Sequence, residues 1–262
     1  MLPEVLALAR RISTCPLVER SQGDLGHLEP CHDVVVLGNN PSGAEHRRSP
    51  EPWIGHLAQA RILFVSSNPN GLDSRGVDSR GADESSATDD VSIVKESEFA
   101  FDAVSGSPAV RPNARSHPRN SWDGAYGCSR QVLGDSVRPG YDYAQTEVVH
   151  CGSKGQAGVA PALPVCVALY LTQVLRAAAA ALSIVVVGTP AQSAFQRFLG
   201  VDFGHQEMWG PEFLEGRRRV VVAVAHPAAK KVDEARKSLT AVQIDLIRAQ
   251  LGVATTSPRP DA

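Results

Sequence analysis

The stretch ARILFVSSNPNG, residues 60–71, begins as a strand and ends as a tight turn. Ile62 to Val65 form a short apolar run, and apolar residues on both faces are typical of a buried strand in a parallel sheet. The corner that follows, Ser-Ser-Asn-Pro-Asn-Gly, is built from residues that favour turns. Three further runs have the same character as the first: Thr146 to Val149, Ile184 to Val187 and Val220 to Val224. Together the four runs predict a central, mostly parallel four-stranded sheet.

Stretches with the composition and spacing of helices lie between or after these strands. They run from Val165 to Leu182, from Ala191 to Phe198 and from Val232 to Leu251. Strands that alternate with helices fold into layers, with the helices on both faces of a parallel sheet. The sequence therefore predicts an α/β protein of the three-layer α/β/α type, with residues 1–253 as a single domain.

A long polar insertion, at about residues 71–140, separates the first predicted strand from the second. Residues 71–92 are rich in Gly, Ser and Asp and have almost no large apolar side chain. Burial therefore cannot offset the entropy cost of ordering them, and we expect a mobile loop. We also expect a disordered tail at residues 254–262.

Composition limits the classes of function. The chain has 262 residues, of which 43% are apolar, and this is enough for a substantial core. Its net charge of −2 gives no overall basic field, so contact with DNA would depend on a local patch. The first 14 residues lack the pattern of a secretory signal, and the longest apolar run, Ala177 to Val187, is too short to cross a bilayer. We expect a soluble, cytoplasmic monomer.

Polar side chains lie at the predicted ends of the strands. Ser67 and Asn68 follow the first strand, Glu147 lies in the second, and His226 follows the fourth. Ligands of parallel sheets bind at the carboxyl ends of the strands, because the loops converge there. The sequence therefore places an amide, a carboxyl group and an imidazole at one edge of the sheet. Taken singly, the Asn-Pro and His-Pro pairs are more typical of structural turns than of a functional site.

The motifs at these ends, SSNPN, TEVVHC and AHPAAKK, resemble those of the uracil-DNA glycosylase superfamily, most closely its bacterial iron–sulfur branch. The resemblance implies an enzyme that hydrolyses the N-glycosidic bond of a base flipped out of DNA. Positive charge then builds on the sugar and negative charge on the departing base. Asn68 would orient the attacking water, and His226 would donate a hydrogen bond to the base. The proline after each residue would stiffen the loop that carries it.

Glu147 departs from the family pattern, because the uracil enzymes that the chain resembles carry asparagine at this position. An ionised carboxylate only accepts hydrogen bonds, so it would disfavour the O4 oxygen of uracil and favour an exocyclic amino group. We therefore expect an amino-bearing base, such as hydroxymethylated or glucosylated cytosine, in foreign or phage DNA. The alternative enzyme is a uracil or hypoxanthine repair glycosylase. For Glu147 itself, the alternatives are a different register of the motif and a structural role in an ion pair.

Five cysteines, an odd number without a secretion signal, indicate reduced thiols, a metal or a cluster rather than a disulfide framework. The resemblance implies a structural [4Fe–4S] cluster with Cys15, Cys31, Cys151 and Cys166 as ligands. Cys128 would then be spare. The alternative is a set of inert, buried thiols.

DNA is the expected partner. Ser67, Phe101 and Trp122 are candidates for contact with the flipped base, the two aromatic residues by stacking. Lys230 and Lys231 follow the His-Pro motif and are candidates for binding phosphates. Two other classes of function stay open: a module that binds a modified base without cleaving it, and a hydrolase of small nucleosides.

Overall fold

The computed structural model describes residues 3–38, 50–68, 121–153, 156–204, 206–226 and 238–253. Two predicted features lie outside these ranges: most of the insertion (residues 71–120) and the tail (254–262). Three predicted site residues also lie outside them, namely Phe101, Lys230 and Lys231. All structural statements below refer to the described ranges.

The core of the fold is a mixed sheet of five strands in the order β2-β1-β3-β5-β4. Four strands run parallel, namely β1 (Ile62–Ser66), β2 (Tyr143–Glu147), β3 (Ser183–Val187) and β5 (Arg217–Val224). The fifth, β4 (Met208–Leu214), pairs antiparallel with β5 at the edge. The predicted α/β class with a mostly parallel sheet is confirmed. The predicted number of four strands is wrong, because β4 is largely exposed and its apolar pattern is interrupted at Gly210-Pro211.

Strand β2 lies earlier than the predicted run from Thr146 to Val149: it begins at Tyr143 and ends at Glu147. A neighbouring loop satisfies some of its polar groups. The Thr146 hydroxyl donates to the carbonyl of Pro52 at 2.8 Å, and the backbones of Gln145 and Ile54 exchange two hydrogen bonds. The loop at residues 50–54 thus covers the outer edge of the sheet.

Helices pack against both faces of the sheet. One face is covered by α1 (Pro3–Ser13), α2 (Pro16–Gln22), α3 (His32–Gly38), the helical run from Val159 to Ala177, and α7 (Thr189–Leu199). The opposite face is covered by α4 (Ser121–Leu133) and α8 (Ala241–Leu251). Strand β1 supplies both cores, Leu63 and Val65 to the first and Ile62 and Phe64 to the second.

The helical run Val159 to Ala177 consists of α5 (Val159–Cys166), a π-helical turn (Val167–Leu171) and α6 (Thr172–Ala177). It both starts and ends before the predicted bounds of Val165 and Leu182. The fully buried Arg219 of β5 ends it, because its Nη2 donates to the carbonyls of Leu175 at 2.8 Å and Ala178 at 2.9 Å. Sequence spacing does not reveal this cap, because the arginine belongs to a strand and lies 41 residues after Ala178 in the chain.

The other two predicted helices differ in how well they agree with the structure. Helix α7 matches the prediction of Ala191 to Phe198 within two residues at each end. Helix α8 starts only at Ala241, where Thr240 forms a capping box with Gln243. A continuous helix from Val232 is therefore wrong, since residues 238–240 are not helical.

The run Val159–Ala177 is, by length and composition, apolar enough to cross a membrane, and it is the single such helix in the described ranges. However, 44% of this window is buried inside the fold, where it packs beside the sheet. This is typical of a core helix in a layered α/β domain. The cytoplasmic location stays a prediction.

Candidate active site

The strand order brings the predicted site residues to one edge of the sheet. Across that edge lie, in turn, Glu147 at the end of β2, Asn68 after β1, Gly188 after β3 and His226 after β5. Neighbouring strands are about 4.8 Å apart, so Asn68 and His226, two strands apart, are separated by about 10 Å. Gly188, at the end of the intervening strand β3, lies between them and packs against His226.

The amide of Asn68 is held by hydrogen bonds on both of its polar atoms. Its Nδ2 donates to the Ser153 hydroxyl at 3.2 Å, and its Oδ1 accepts from the Ser67 hydroxyl at 3.4 Å. Ser67 in turn accepts from Nε2 of Gln156 at 3.0 Å. Asn68 is only 8% exposed. These contacts fix the orientation of the amide, so that its oxygen and its nitrogen each point in a defined direction. A residue that orients a water molecule needs such a fixed amide.

Sequence reasoning did not identify Ser153 or Gln156. Both lie in the segment after β2, separated from Asn68 by more than 80 residues. Small polar residues in a loop carry no signal that distinguishes a support for the site from an ordinary turn. Ser67 was predicted to contact the base, but its hydroxyl joins Asn68 to Gln156, which favours a positioning role.

His226 follows β5 and is packed against Gly188, the residue that follows β3. A Cβ atom built on Gly188 would lie 3.2 Å from the Cβ of His226, and the φ of Gly188 is +83°. Burial lowers the pKa of His226 below its ordinary value. The ring is therefore neutral at neutral pH, with one nitrogen as donor and the other as acceptor.

Glu147 ends β2 beside Ser66, the last residue of β1. The Ser66 hydroxyl donates to Oε1 of Glu147 at 3.4 Å. Although part of the residue surface reaches solvent, the carboxyl group is enclosed by protein atoms, and this burial raises its pKa to about 8, with a further contribution from Glu51. At neutral pH the carboxyl group therefore carries a proton, which differs from the ionised carboxylate that the sequence argument assumed.

A pair of hydrogen bonds fixes Glu51 next to the end of β2. The backbone N–H of Glu51 donates to the carbonyl of His150 at 2.9 Å, and Nδ1 of His150 donates to the carbonyl of Glu51 at 2.8 Å. Burial lowers the pKa of His150 to about 4, so its ring is neutral. These contacts attach the loop at residues 50–54 to the wall of the site.

The four predicted ligand cysteines lie together on the face of the sheet that carries α1 to α3. The thiols of Cys31 and Cys166 are hydrogen-bonded to each other. Burial raises the pKa of Cys151 to about 12, with smaller contributions from Cys31 and Cys15. Cys128 belongs to helix α4 and is buried in the core on the opposite face of the sheet.

The donors match a [4Fe–4S] cluster in number and kind, since four thiols from separate segments meet among apolar side chains. Within the described ranges, no three His, Cys, Asp or Glu side chains have the geometry to hold a metal ion. The thiols of Cys31 and Cys166 share a hydrogen bond, and all the cysteines are free.

The described residues give no contacts for the predicted aromatic and basic side chains of the site. Trp122 belongs to helix α4, but its side chain lies outside the described atoms. Phe101, Lys230 and Lys231 are also outside the described ranges, so their roles stay predictions.

Comparison with models of known protein families and with curated proteins finds no match to this chain. Membership of the uracil-DNA glycosylase superfamily therefore depends on the motif residues and stays a proposal.

Replacing Gly188 with alanine is expected to displace His226. The new Cβ would contact the histidine Cβ, and the positive φ disfavours any L side chain, so the free energy of unfolding should fall by about 1–2 kcal/mol. Urea unfolding measures this change. The control is Gly127→Ala in helix α4, where an added Cβ meets nothing within 4 Å and should stabilise the helix by about 0.5–1 kcal/mol. Equal stability of the Gly188→Ala variant and the wild type would contradict the packing described here.

Proposed function

We propose that the protein is a DNA glycosylase that hydrolyses the N-glycosidic bond of a flipped, modified or damaged base. The observation that carries this proposal is the oriented amide of Asn68 at a sheet edge that also bears a neutral His226. Glycosidic cleavage needs a positioned water on the sugar side and a hydrogen-bond donor on the base side. Asn68 and His226 would meet these needs from the ends of the two strands that flank β3.

In this mechanism the amide of Asn68 orients the attacking water. Ser67 and Ser153 hold the amide, so the water is placed before the bond breaks and little reorganisation is needed at the moment of reaction. His226 donates a hydrogen bond to a ring or carbonyl atom of the departing base as negative charge develops there. A neutral imidazole suits this role because it stabilises the charge without transferring a full positive charge into a buried site.

The base that we propose is an amino-bearing one, with hydroxymethylated or glucosylated cytosine as the leading examples, in foreign or phage DNA. Glu147 supports this choice because a carboxyl oxygen accepts from an exocyclic amino group. Selectivity against ordinary cytosine would come from the modification or from a mispair that lowers the cost of flipping.

A second candidate substrate is an oxo base, uracil or hypoxanthine. The observation that favours it is the proton on Glu147, because a neutral carboxyl group can donate to an oxo group as well as accept. A module that binds a modified base without cleaving it, and a hydrolase of small nucleosides, stay as outcomes of the assay below.

For the cysteines, we propose a structural [4Fe–4S] cluster held by Cys15, Cys31, Cys151 and Cys166. Bound there, the cluster would connect the N-terminal helices to the segment after β2. No step of the reaction passes through it. Support comes from the convergence of four thiols from two separated parts of the chain, the N-terminal helices and the segment after β2, in one apolar region.

Excision of bases from synthetic oligonucleotides tests the glycosylase directly. The wild type is incubated with single- and double-stranded DNA carrying uracil, hypoxanthine, or hydroxymethylated or glucosylated cytosine, and abasic sites are then cleaved with alkali. Asn68→Ala should lower the single-turnover rate about 10²–10³-fold. Ser153→Ala, which removes only a support of the amide, should lower it about tenfold with little change in KM.

The matched control is Gln250→Ala, because Gln250 lies on the exposed side of α8 and donates to the carbonyl of Arg218, away from the site. Its rate should equal that of the wild type. Binding of DNA without strand cleavage would favour the non-catalytic module. Release of bases from nucleosides, but not from DNA, would favour the nucleoside hydrolase.

Loss of one thiol should remove the cluster. Cys166→Ser is expected to abolish the brown colour and the iron and sulfide content of protein purified without oxygen. Cys128→Ser should retain all three, because Cys128 is buried on the other face of the sheet. Colourless, iron-free wild-type protein prepared in the same way would contradict the cluster and leave four buried thiols.

A further inference from the structure

Residues from the segment after β2 hold Asn68 and its neighbour Ser67 at two points. The Ser153 hydroxyl accepts from Nδ2 of Asn68 at 3.2 Å, and Nε2 of Gln156 donates to the Ser67 hydroxyl at 3.0 Å. Ser67 in turn donates to Oδ1 of Asn68 at 3.4 Å. Three hydrogen bonds thus join the four residues in series, and the series starts and ends in the same segment of the chain.

The three hydrogen bonds run in one direction because of Gln156. Its amide nitrogen can only donate, so the Ser67 oxygen accepts there, and the single hydroxyl proton of Ser67 is left for Oδ1 of Asn68. A flipped Asn68 amide would turn its nitrogen toward Ser67. Two donors would then face one oxygen, and the hydroxyl proton would lose its acceptor. Gln156 therefore favours the orientation of Asn68 that the structure has.

The backbone of Gln156 is held in an unusual conformation. Its φ is +64°, a left-handed value that is uncommon for a residue with a side chain and persists where the surrounding structure enforces it. Gly158, two residues further on, also has a positive φ, of +72°. A Cβ atom built on Gly158 would lie 2.2 Å from the backbone nitrogen of Val34 and 2.6 Å from the carbonyl carbon of Asp33. Glycine is therefore required for this contact with helix α3.

Helix α3 is a rigid support for Gly158. Val34 is fully buried in the core on this face of the sheet. Nδ1 of His32, the first residue of the helix, donates to the carbonyl of Ser21 at 2.9 Å. Contacts therefore connect α3, through Gly158 and Gln156, with the candidate site.

We propose that Gln156 and Gly158 are positioning residues for the excision reaction. Gly158 seats the segment after β2 on α3, and Gln156 sets the direction in which the Asn68 amide points. Both act on the reaction through Ser67 rather than by contact with the base. This inference rests on the proposed glycosylase function, and it assigns the N-terminal helices a part in excision beyond packing of the core.

Three substitutions of the exposed Gln156 test the direction of the hydrogen bonds. Gln156→Ala removes the donor, and Gln156→Glu replaces it with a carboxylate that only accepts and draws the Ser67 proton away from Asn68. Both should lower the maximal single-turnover rate about tenfold, with little change in the DNA concentration that gives half of it. Gln156→Lys keeps a group that only donates, so its rate should stay close to that of the wild type. The substrate is the base that the wild type removes.

Side-chain NMR of nitrogen-15-labelled protein reports the orientation of Asn68 without relying on activity. The NH2 signals of Asn68 are identified by their loss in Asn68→Ala. Gln156→Ala and Gln156→Glu should shift these signals and speed the exchange of their protons with water several-fold, whereas Gln156→Lys should not. The control is Gln206→Ala, before β4, because Gln206 has the same left-handed backbone, with a φ of +65°. Its rate and its Asn68 signals should equal those of the wild type.

Gly158→Ala tests whether α3 acts through Gln156. Alone, the substitution should lower the rate about tenfold. Combined with Gln156→Ala it should cause no further loss, because both changes remove the same contact and their effects are then not additive. A loss of about a hundredfold in the double variant, as independent effects would give, would overturn the role of Gly158.

Rates and NMR signals together separate the failure of this inference from the failure of the enzyme. Excision at the wild-type rate by Gln156→Ala and Gln156→Glu, or equal losses in all three Gln156 variants, would overturn the positioning role and leave the glycosylase standing. Altered Asn68 signals without excision of any base by the wild type would overturn the glycosylase, and the part of Gln156 in a reaction with it.

Discussion

The structure depends on burial of strand β1 on both faces. Leu63 and Val65 enter one core and Ile62 and Phe64 the other, and each side chain stabilises the fold by about 1.5–3 kcal/mol. A shift of the strand by one residue would draw a polar residue at one of its ends into a core, so the register is strongly specified. Asn68 follows two residues after this strand. The packing of the core thereby determines where the amide stands.

The candidate site is built from groups that burial keeps uncharged. His226 is neutral because burial lowers its pKa, and Glu147 is neutral because burial and Glu51 raise its pKa. Electrostatic interactions are stronger in such an environment than in water. Neutral donors that are already oriented can stabilise the charge that develops in the transition state. Because they carry no net charge, they do not bind a charged ligand strongly in the ground state.

The sequence was sufficient to predict the α/β class and the strand ends that Asn68 and His226 follow, because these depend on local runs of apolar residues. It placed Glu147 inside the second strand, whereas β2 ends at this residue. It was insufficient for features that depend on partners far along the chain. Strand β4 owes its place to pairing with β5, and the orientation of Asn68 depends on Ser153. Burial raises the pKa of Glu147, with a further contribution from Glu51 in a loop almost 100 residues earlier, and neither effect can be read from the sequence around Glu147.

The most direct test of the central claim is to carry out the reaction in oxygen-18 water and analyse the products by mass spectrometry, with DNA carrying uracil or hydroxymethylated cytosine. Hydrolysis of the glycosidic bond by a water held at Asn68 predicts one heavy oxygen on the abasic sugar and none on the released base. Heavy oxygen on the base, which would indicate deamination, or intact DNA with both substrates, would contradict the account.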